Sequence, residues 1–172
     1  MEAARILFVC TGNLCRSPMA QVVGQHLARG AGLALRLDFD SAGTQALRGK
    51  APIDPRARTV LTRAGYVFEP HRARRVTRQD LALSDLVLAM DAGHLEVLRE
   101  LCEPELAPRL HLFLDYAPGF EGRDVPDPYY GDVDGFERVL ALCEAGVRGL
   151  LRVAPGLFAN GGADKVRAPS AS

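Results

Sequence analysis

Arg5-Ile6-Leu7-Phe8-Val9-Cys10-Thr11-Gly12-Asn13-Leu14-Cys15-Arg16-Ser17-Pro18 is the stretch that decides the fold. From Ile6 to Cys10 the run is apolar without a break, which suits a short strand covered on both faces. Gly12 and Asn13, just beyond it, are residue types that tolerate a left-handed backbone. Ser17-Pro18 then reads as a helix start, with serine as N-cap and proline at the first helical position. Strand, tight loop and helix follow one another directly, as at the start of a parallel α/β unit.

The pattern continues outward. Met19, Val22, Val23 and Leu27 share a helical face that Gly30 and Gly32 terminate. A second strand is expected over Leu35 to Phe39, stopping at Ser41-Ala42-Gly43-Thr44. Asp54-Pro55 opens a helix through Leu61 to Gly65, and Thr77-Arg78-Gln79-Asp80 resembles a capping box before a short helical turn. Asp85 to Asp91 is the third strand, followed by a helix around Leu95 and Leu98. Leu110, Leu112 and Leu114 alternate as a fourth strand ending near Asp115. The last helix carries Phe136, Val139, Leu140, Cys143, Val147, Leu150 and Leu151 on one stripe.

Strands alternating with helices predict an α/β fold: a single three-layer domain with a central four-stranded parallel sheet and helices on both faces. With right-handed crossovers this is a small doubly wound domain, and the expected strand order is the flavodoxin-like 2-1-3-4. The domain is expected over 1–158. From Asn160 the composition turns to Gly, Ala, Ser and Pro without a period, so 159–172 reads as a disordered tail. Between Tyr116 and Asp134 lies a Pro/Gly/Asp-rich segment too long for a plain connection, the kind of loop that often carries function.

Composition narrows the partners. The chain has 172 residues, 48% hydrophobic and 24% charged, with 21 basic and 21 acidic side chains. That balance gives no support to a nucleic-acid partner. No apolar run is long enough to span a bilayer, and Ile6 to Cys10 is too short for a signal-peptide core. The expectation is a cytoplasmic protein with no membrane association. Of the four cysteines, Cys10 and Cys15 are close in sequence while Cys102 and Cys143 stand alone, which fits no common zinc pattern. No metal and no cofactor are expected. Cys143, in the apolar stripe, reads as core, and Cys102 as packing at a helix end.

In an open α/β sheet, ligands bind beyond the carboxyl ends of the strands, where the loop from Cys10 to Ser17 sits. Its backbone N–H groups and the following helix N-terminus can hold an anion. Arg16 adds a planar fork for two phosphate oxygens. A thiol at the floor of such a cradle sits in a positive field that favours thiolate, the attacking form. The bland alternative is a buried strand cysteine and a surface arginine, since Cys-x5-Arg alone recurs by chance. Strand before, Ser-Pro after and Gly-Asn within favour attack on phosphorus.

Val9-Cys10-Thr11-Gly12-Asn13-Leu14-Cys15-Arg16-Ser17-Pro18-Met19-Ala20 resembles the signature of the low-molecular-weight protein tyrosine phosphatases. Asp40-Ser41-Ala42-Gly43-Thr44, His71-Arg72-Ala73-Arg74 and Asp127-Pro128-Tyr129-Tyr130 match further family segments in the same order, over roughly 5–152. The resemblance implies that Cys10 forms a phosphocysteine, Arg16 holds the equatorial oxygens, and Asp127 is general acid and then base. Thr11, Gly12, Asn13, Leu14, Cys15 and Ser17 would complete the phosphate-binding loop, with Ser17 both capping the helix and donating to the Cys10 thiolate. It also implies that Ser41 and His71 join Asn13 in supporting the loop, and that Tyr129 and Tyr130 form a substrate wall. At the opposite wall Leu47 replaces the aromatic often found in the family. Cys15 is a candidate redox partner of Cys10, a question that geometry decides. Taken without the resemblance, Asp127-Pro128 is a turn starter, His71 a surface histidine, Ser41 a strand-end residue and the tyrosines rim packing. Arg72, Arg74, Arg75 and Arg78 form a basic run, either a solvated face or an attractor of acidic substrates.

The expected activity is hydrolysis of tyrosine-phosphorylated proteins, with phosphate and other oxyanions as inhibitors, by a monomer or weak dimer. Three rivals stand beside it. A thiol-coupled arsenate reductase needs relay cysteines, and none lies between Ser17 and Leu101. A phosphoarginine phosphatase of this scaffold carries threonine where Leu14 stands. A non-catalytic phosphate-binding domain would not need Cys10 and Asp127 together.

Overall fold

In the computed structural model, residues 2–34 and 36–158 are described; Leu35, at the start of the expected second strand, and the expected tail at 159–172 lie outside them. Strand β1 (Ala4–Cys10) pairs in parallel with β2 (Leu37–Gly43) on one side and β3 (Leu86–Ala89) on the other, and β3 pairs with β4 (Leu110–Leu112). The sheet order is therefore 2-1-3-4, as expected. The chain moves to one side of β1 and then crosses to the other, so the switch point lies at the carboxyl ends of β1 and β3.

Period-two alternation along β1 divides the core. Ile6, Phe8 and Cys10 face a layer containing α1 (Arg16–Gly30), α2 (Pro55–Arg63) and α5 (Val133–Phe158). Leu7 and Val9 face the layer of α3 (Arg78–Leu83) and α4 (Ala92–Leu101), joined there by Val87 and Ala89. Every residue from Ile6 to Cys10 is buried, which is why no polar position interrupts the run. The ring of Phe8 stacks on Phe39 and meets Phe113 edge-on, at centroid distances of 5.9 and 5.1 Å.

Local chemistry starts most helices as expected. Asp54 caps α2 by accepting from Arg56 N–H, and the Thr77/Asp80 capping box opens α3. Three expectations are corrected. The second strand runs on through Ser41-Ala42-Gly43, whose small side chains let it pair with Phe8, Val9 and Cys10 beneath the loop. The fourth strand ends at Leu112, because a 3₁₀ turn over Phe113–Tyr116 tucks Phe113 and Leu114 under α5. That turn needs Gly149 on α5, where any Cβ would collide with the Tyr116 carbonyl. Finally, α1 begins at Arg16 with Cys15 at the N-cap position, so Ser17 lies inside the helix and does not cap it.

Cys143 is fully buried on the α5 stripe, while Leu151 is only half-buried. Cys102 ends α4, half-buried, and packs against the second core cluster. Among the described residues no helix is long and apolar enough to cross a membrane.

Candidate active site

Four carbonyls of the loop between β1 and α1 accept hydrogen bonds from the surrounding fold. Cys10 O accepts from Thr44 N–H, Thr11 O from Gln45 and Ala46, Asn13 O from His71 Nε2, and Leu14 O from Asp54. Among the described residues, none of the N–H groups of Thr11 to Arg16 donates to another protein group. A row of uncommitted N–H donors at a helix N-terminus is what an oxyanion requires.

Of the two residues expected to allow a left-handed backbone, Asn13 uses it (φ 57°) and Gly12 does not. The glycine the loop needs is Gly43 on β2, where a Cβ would stand 2.5 Å from Thr11 O and 3.0 Å from Asn13 N. Asn13 pins the loop with all its amide groups: Nδ2 donates to Ser17 Oγ (2.9 Å) and Ser41 Oγ (3.0 Å), and Oδ1 accepts from Arg74 N–H (3.0 Å). Ser41 Oγ–H passes on to Gln21 Oε1 at 2.6 Å. His71 Nε2–H donates to Asn13 O at 2.7 Å, and burial holds the imidazole below its usual range.

Ser17 Oγ lies 2.9 Å from Cys10 Sγ and 3.3 Å from Ala42 O. Because it already accepts from Asn13, its single proton is free for one of these two, and the sulfur is nearer. A thiolate there receives a charge-assisted hydrogen bond inside a buried site.

Arg16 is almost wholly buried and is held from behind. Its NH1 donates to Asp91 Oδ2 (3.0 Å) and Val125 O (3.1 Å), and NH2 reaches Thr11 Oγ1 (3.4 Å). Burial opposes ionisation of Asp91, but the His94 amide, His94 and Arg16 outweigh it and keep the carboxyl below its ordinary range. The buried His94 ring places Nε2 2.7 Å from Thr11 Oγ1, and burial pushes its pKa down to about 4 against the pull of Asp91.

In front of the loop lies a cavity of about 270 Å³ lined by Cys10, Arg16, Leu47, Asp127, Tyr129 and Tyr130, with Thr11, Gly12, Leu14 and Cys15 also on its wall. Residues far apart in sequence thus meet as expected. Asp127 Oδ2 is 3.5 Å from Arg16 NH2, and Oδ1 accepts from Tyr129 N–H at 3.1 Å. Leu47 and Tyr130 stand exposed at the rim. Cys10 and Cys15 are both free thiols on this wall. Burial, and then the Asp54 carboxylate, push the Cys15 thiol far above its ordinary range. Ser41 and His71 stand behind the loop, off the cavity wall.

Several residues that contact the loop or its neighbours carry little sequence signal. Asp91 was legible only as a strand end, although the carboxyl end of β3 at a switch point was the available signal. His94, Gln21 and Arg56 carried no motif. In the basic run, Arg74 is committed to Asp40 and Asp80 at 2.8 Å each, and the exposed Arg78 reaches Glu103 at 3.4 Å.

Comparison with known proteins agrees with this geometry. The family profile described as "Low molecular weight phosphotyrosine protein phosphatase" matches residues 5–157. A low molecular weight protein-tyrosine-phosphatase of Streptomyces coelicolor is 45% identical over 150 residues, covering 86% of this chain and 91% of the relative. The solved structure of a protein tyrosine phosphatase from Entamoeba histolytica superposes with a TM-score of 0.86 at 30% identity, covering 90% of this chain and 98% of that one. YfkJ from Bacillus subtilis gives a TM-score of 0.85 at 35% identity, with 91% and 97% covered.

Proposed function

The chain belongs to the low molecular weight protein-tyrosine phosphatase family, whose members are cysteine-dependent, and from that premise we propose the following roles for its residues. The Cys10 thiolate attacks phosphorus in line with the tyrosyl oxygen, forming the S–P bond as the P–O bond breaks. Asp127, protonated, gives its proton to the departing phenolate. Arg16 and the N–H groups of the loop take up the charge on the equatorial oxygens. Water then attacks the phosphocysteine, Asp127 accepts its proton, the S–P bond breaks, and phosphate leaves with the thiolate restored.

The observation that carries this reading is the loop itself: four carbonyls tied to the surrounding fold, N–H groups uncommitted, and a sulfur and a buried guanidinium on the same wall. Its shape also supports phosphate and other oxyanions as competitive inhibitors. Ser17, Asn13, Ser41 and His71 act by holding that shape, and Leu47, Tyr129 and Tyr130 receive the substrate ring. Neither arsenate reduction nor phosphoarginine hydrolysis is favoured by the relatives, which are named as tyrosine phosphatases.

Cys15 is the proposed protective partner of Cys10. Peroxide would oxidise Cys10 to the sulfenic acid, and the Cys15 thiol would displace water to give the disulfide. We place the enzyme in the cytoplasm, where its free thiols are kept reduced, as a monomer or weak dimer with the domain ending near 158.

The test is hydrolysis of a phosphotyrosine peptide and of an aryl phosphate by wild type, Cys10→Ser and Asp127→Ala, with rapid acid quench to trap phosphoenzyme. Cys10→Ser should form none and turn over nothing. Retained turnover in that variant refutes the mechanism.

A further inference from the structure

We propose that Arg56, on helix α2, is the positioning residue of the acid loop, fixing where Asp127 stands relative to the phosphate. This rests on the reading of Asp127 as general acid. The side chain forms a strut between two loops that are otherwise separate in the chain. At its base, Asp54 N–H donates to Leu14 O of the phosphate loop at 2.9 Å. The Asp54 carboxylate takes Arg56 N–H (2.8 Å), Nε (3.1 Å) and NH2 (2.9 Å). The outer edge of the same guanidinium donates to Tyr129 O (2.8 Å, from NH2) and Gly131 O (2.9 Å, from NH1). Tyr129 N–H in turn donates to Asp127 Oδ1. Hydrogen bonds therefore run from Leu14 through Asp54, Arg56 and Tyr129 to the acid.

Two further facts make Arg56 the determining contact. Val125, just before the segment, is anchored by Met90 O and Arg16; beyond it, among the described residues, the hydrogen bonds tying 126–131 to the rest of the protein come from Arg56, and the Arg16–Asp127 ion pair is the other polar link. The guanidinium also lies over the rings of Phe136 (4.6 Å) and Tyr129 (5.7 Å), so its plane is set by packing as well as by hydrogen bonds. A planar fork can serve Asp54 on one edge and two carbonyls on the other; a lysine, with one nitrogen, cannot. Misplacement of a reacting group by 1 Å costs on the order of 100-fold in rate, so the side chain that holds the Tyr129 and Gly131 carbonyls is consequential for proton transfer.

The experiment measures kcat/KM on aryl phosphates running from phenyl to dinitrophenyl phosphate, for wild type, Arg56→Ala, Arg56→Lys, Asp127→Ala and the double variant Arg56→Ala/Asp127→Ala. Poor leaving groups need the acid and good ones do not. Arg56→Ala should lose about tenfold or more on phenyl phosphate and much less on dinitrophenyl phosphate. Within an Asp127→Ala background it should cost less than about twofold more, since the two act through one group. Inhibition by inorganic phosphate, which uses the phosphate loop, should hold within about twofold. A loss equal on all leaving groups, or one that adds to Asp127→Ala, overturns the proposal. If Asp127→Ala itself leaves the leaving-group dependence unchanged, the general-acid assignment falls, a result distinct from failure of the strut. Should Arg56→Ala not fold, Arg56→Lys decides by the same leaving-group readout, expected to show the same selective loss.

Discussion

Asp91 Oδ2 accepts a 3.0 Å hydrogen bond from Arg16 NH1, while Oδ1 of the same carboxylate accepts from His94 N–H and caps helix α4. One side chain therefore both aims the guanidinium at the cavity and starts the helix behind it. Around an arginine only 3% exposed, an anion, a carbonyl and a hydroxyl stand where bulk water would otherwise be.

Asp91→Asn separates these two duties, because the amide oxygen can still cap while the negative charge is gone. We expect kcat/KM on an aryl phosphate to fall about tenfold or more, consistent with a displaced anion-binding group. Inhibition by inorganic phosphate should weaken in step. Asp91→Ala should lose about 1 kcal/mol more in unfolding free energy than Asp91→Asn, the cost of the missing cap. Unchanged phosphate inhibition in Asp91→Asn would show that Arg16 does not depend on this carboxylate.

Gly43→Ala tests the contact between β2 and the loop. The added methyl would sit 2.5 Å from Thr11 O, and neither backbone can yield without moving the cradle. The expected stability loss is about 1–3 kcal/mol, typical of overpacking, measured by urea unfolding. Activity should fall by about tenfold or more, as a small misplacement of the donors predicts. Full activity in a stably folded variant would mean that the loop tolerates displacement.

Histidines withdrawn from water make stability depend on pH. The His94 imidazole is held at about 4 against an ordinary 6.5, by burial first. Below pH 6.5 the unfolded chain takes up a proton there that the folded chain does not, so stability falls as pH drops from about 6.5 to about 4. The full span amounts to something on the order of 3 kcal/mol. His71 and His111, also lowered by burial, act in the same direction. Asp91, with its carboxyl lowered, adds a loss only when the pH falls below its ordinary 3.8. Denaturant unfolding at intervals across this range should show a shallower slope for His94→Asn than for wild type; equal slopes would mean that His94 protonates freely in the fold.

The sheet and the phosphate loop were legible because their signals are local. An unbroken apolar run reports burial on both faces, and Ile6 to Cys10 is buried throughout. Asp54 and Thr77 cap helices through their own near neighbours, so the residues that carry the signal also make the bond. Where that locality failed, so did the reading. Ser17-Pro18 has the composition of a cap, but a hydroxyl within 2.9 Å of Cys10 Sγ has a partner outside its helix. Leu114 keeps the alternation of a strand, yet α5 packs so closely over the Phe113–Tyr116 turn that the chain bends before reaching it.

The sequence by itself thus determined the strands and the loop with its sulfur and guanidinium, since each lies within one element or one motif, while Asp127 stood out only through the resemblance to a known family. Only the tertiary structure decided what holds them in place: Asp91 behind Arg16, Gly43 beneath Thr11, His71 on Asn13 and Arg56 against the Asp127–Gly131 segment. These contacts join residues about 30 to 75 positions apart through single hydrogen bonds or one missing methyl. Such pairings leave no periodicity and no composition bias in the chain, and they exist only once the sheet has brought its strand ends together.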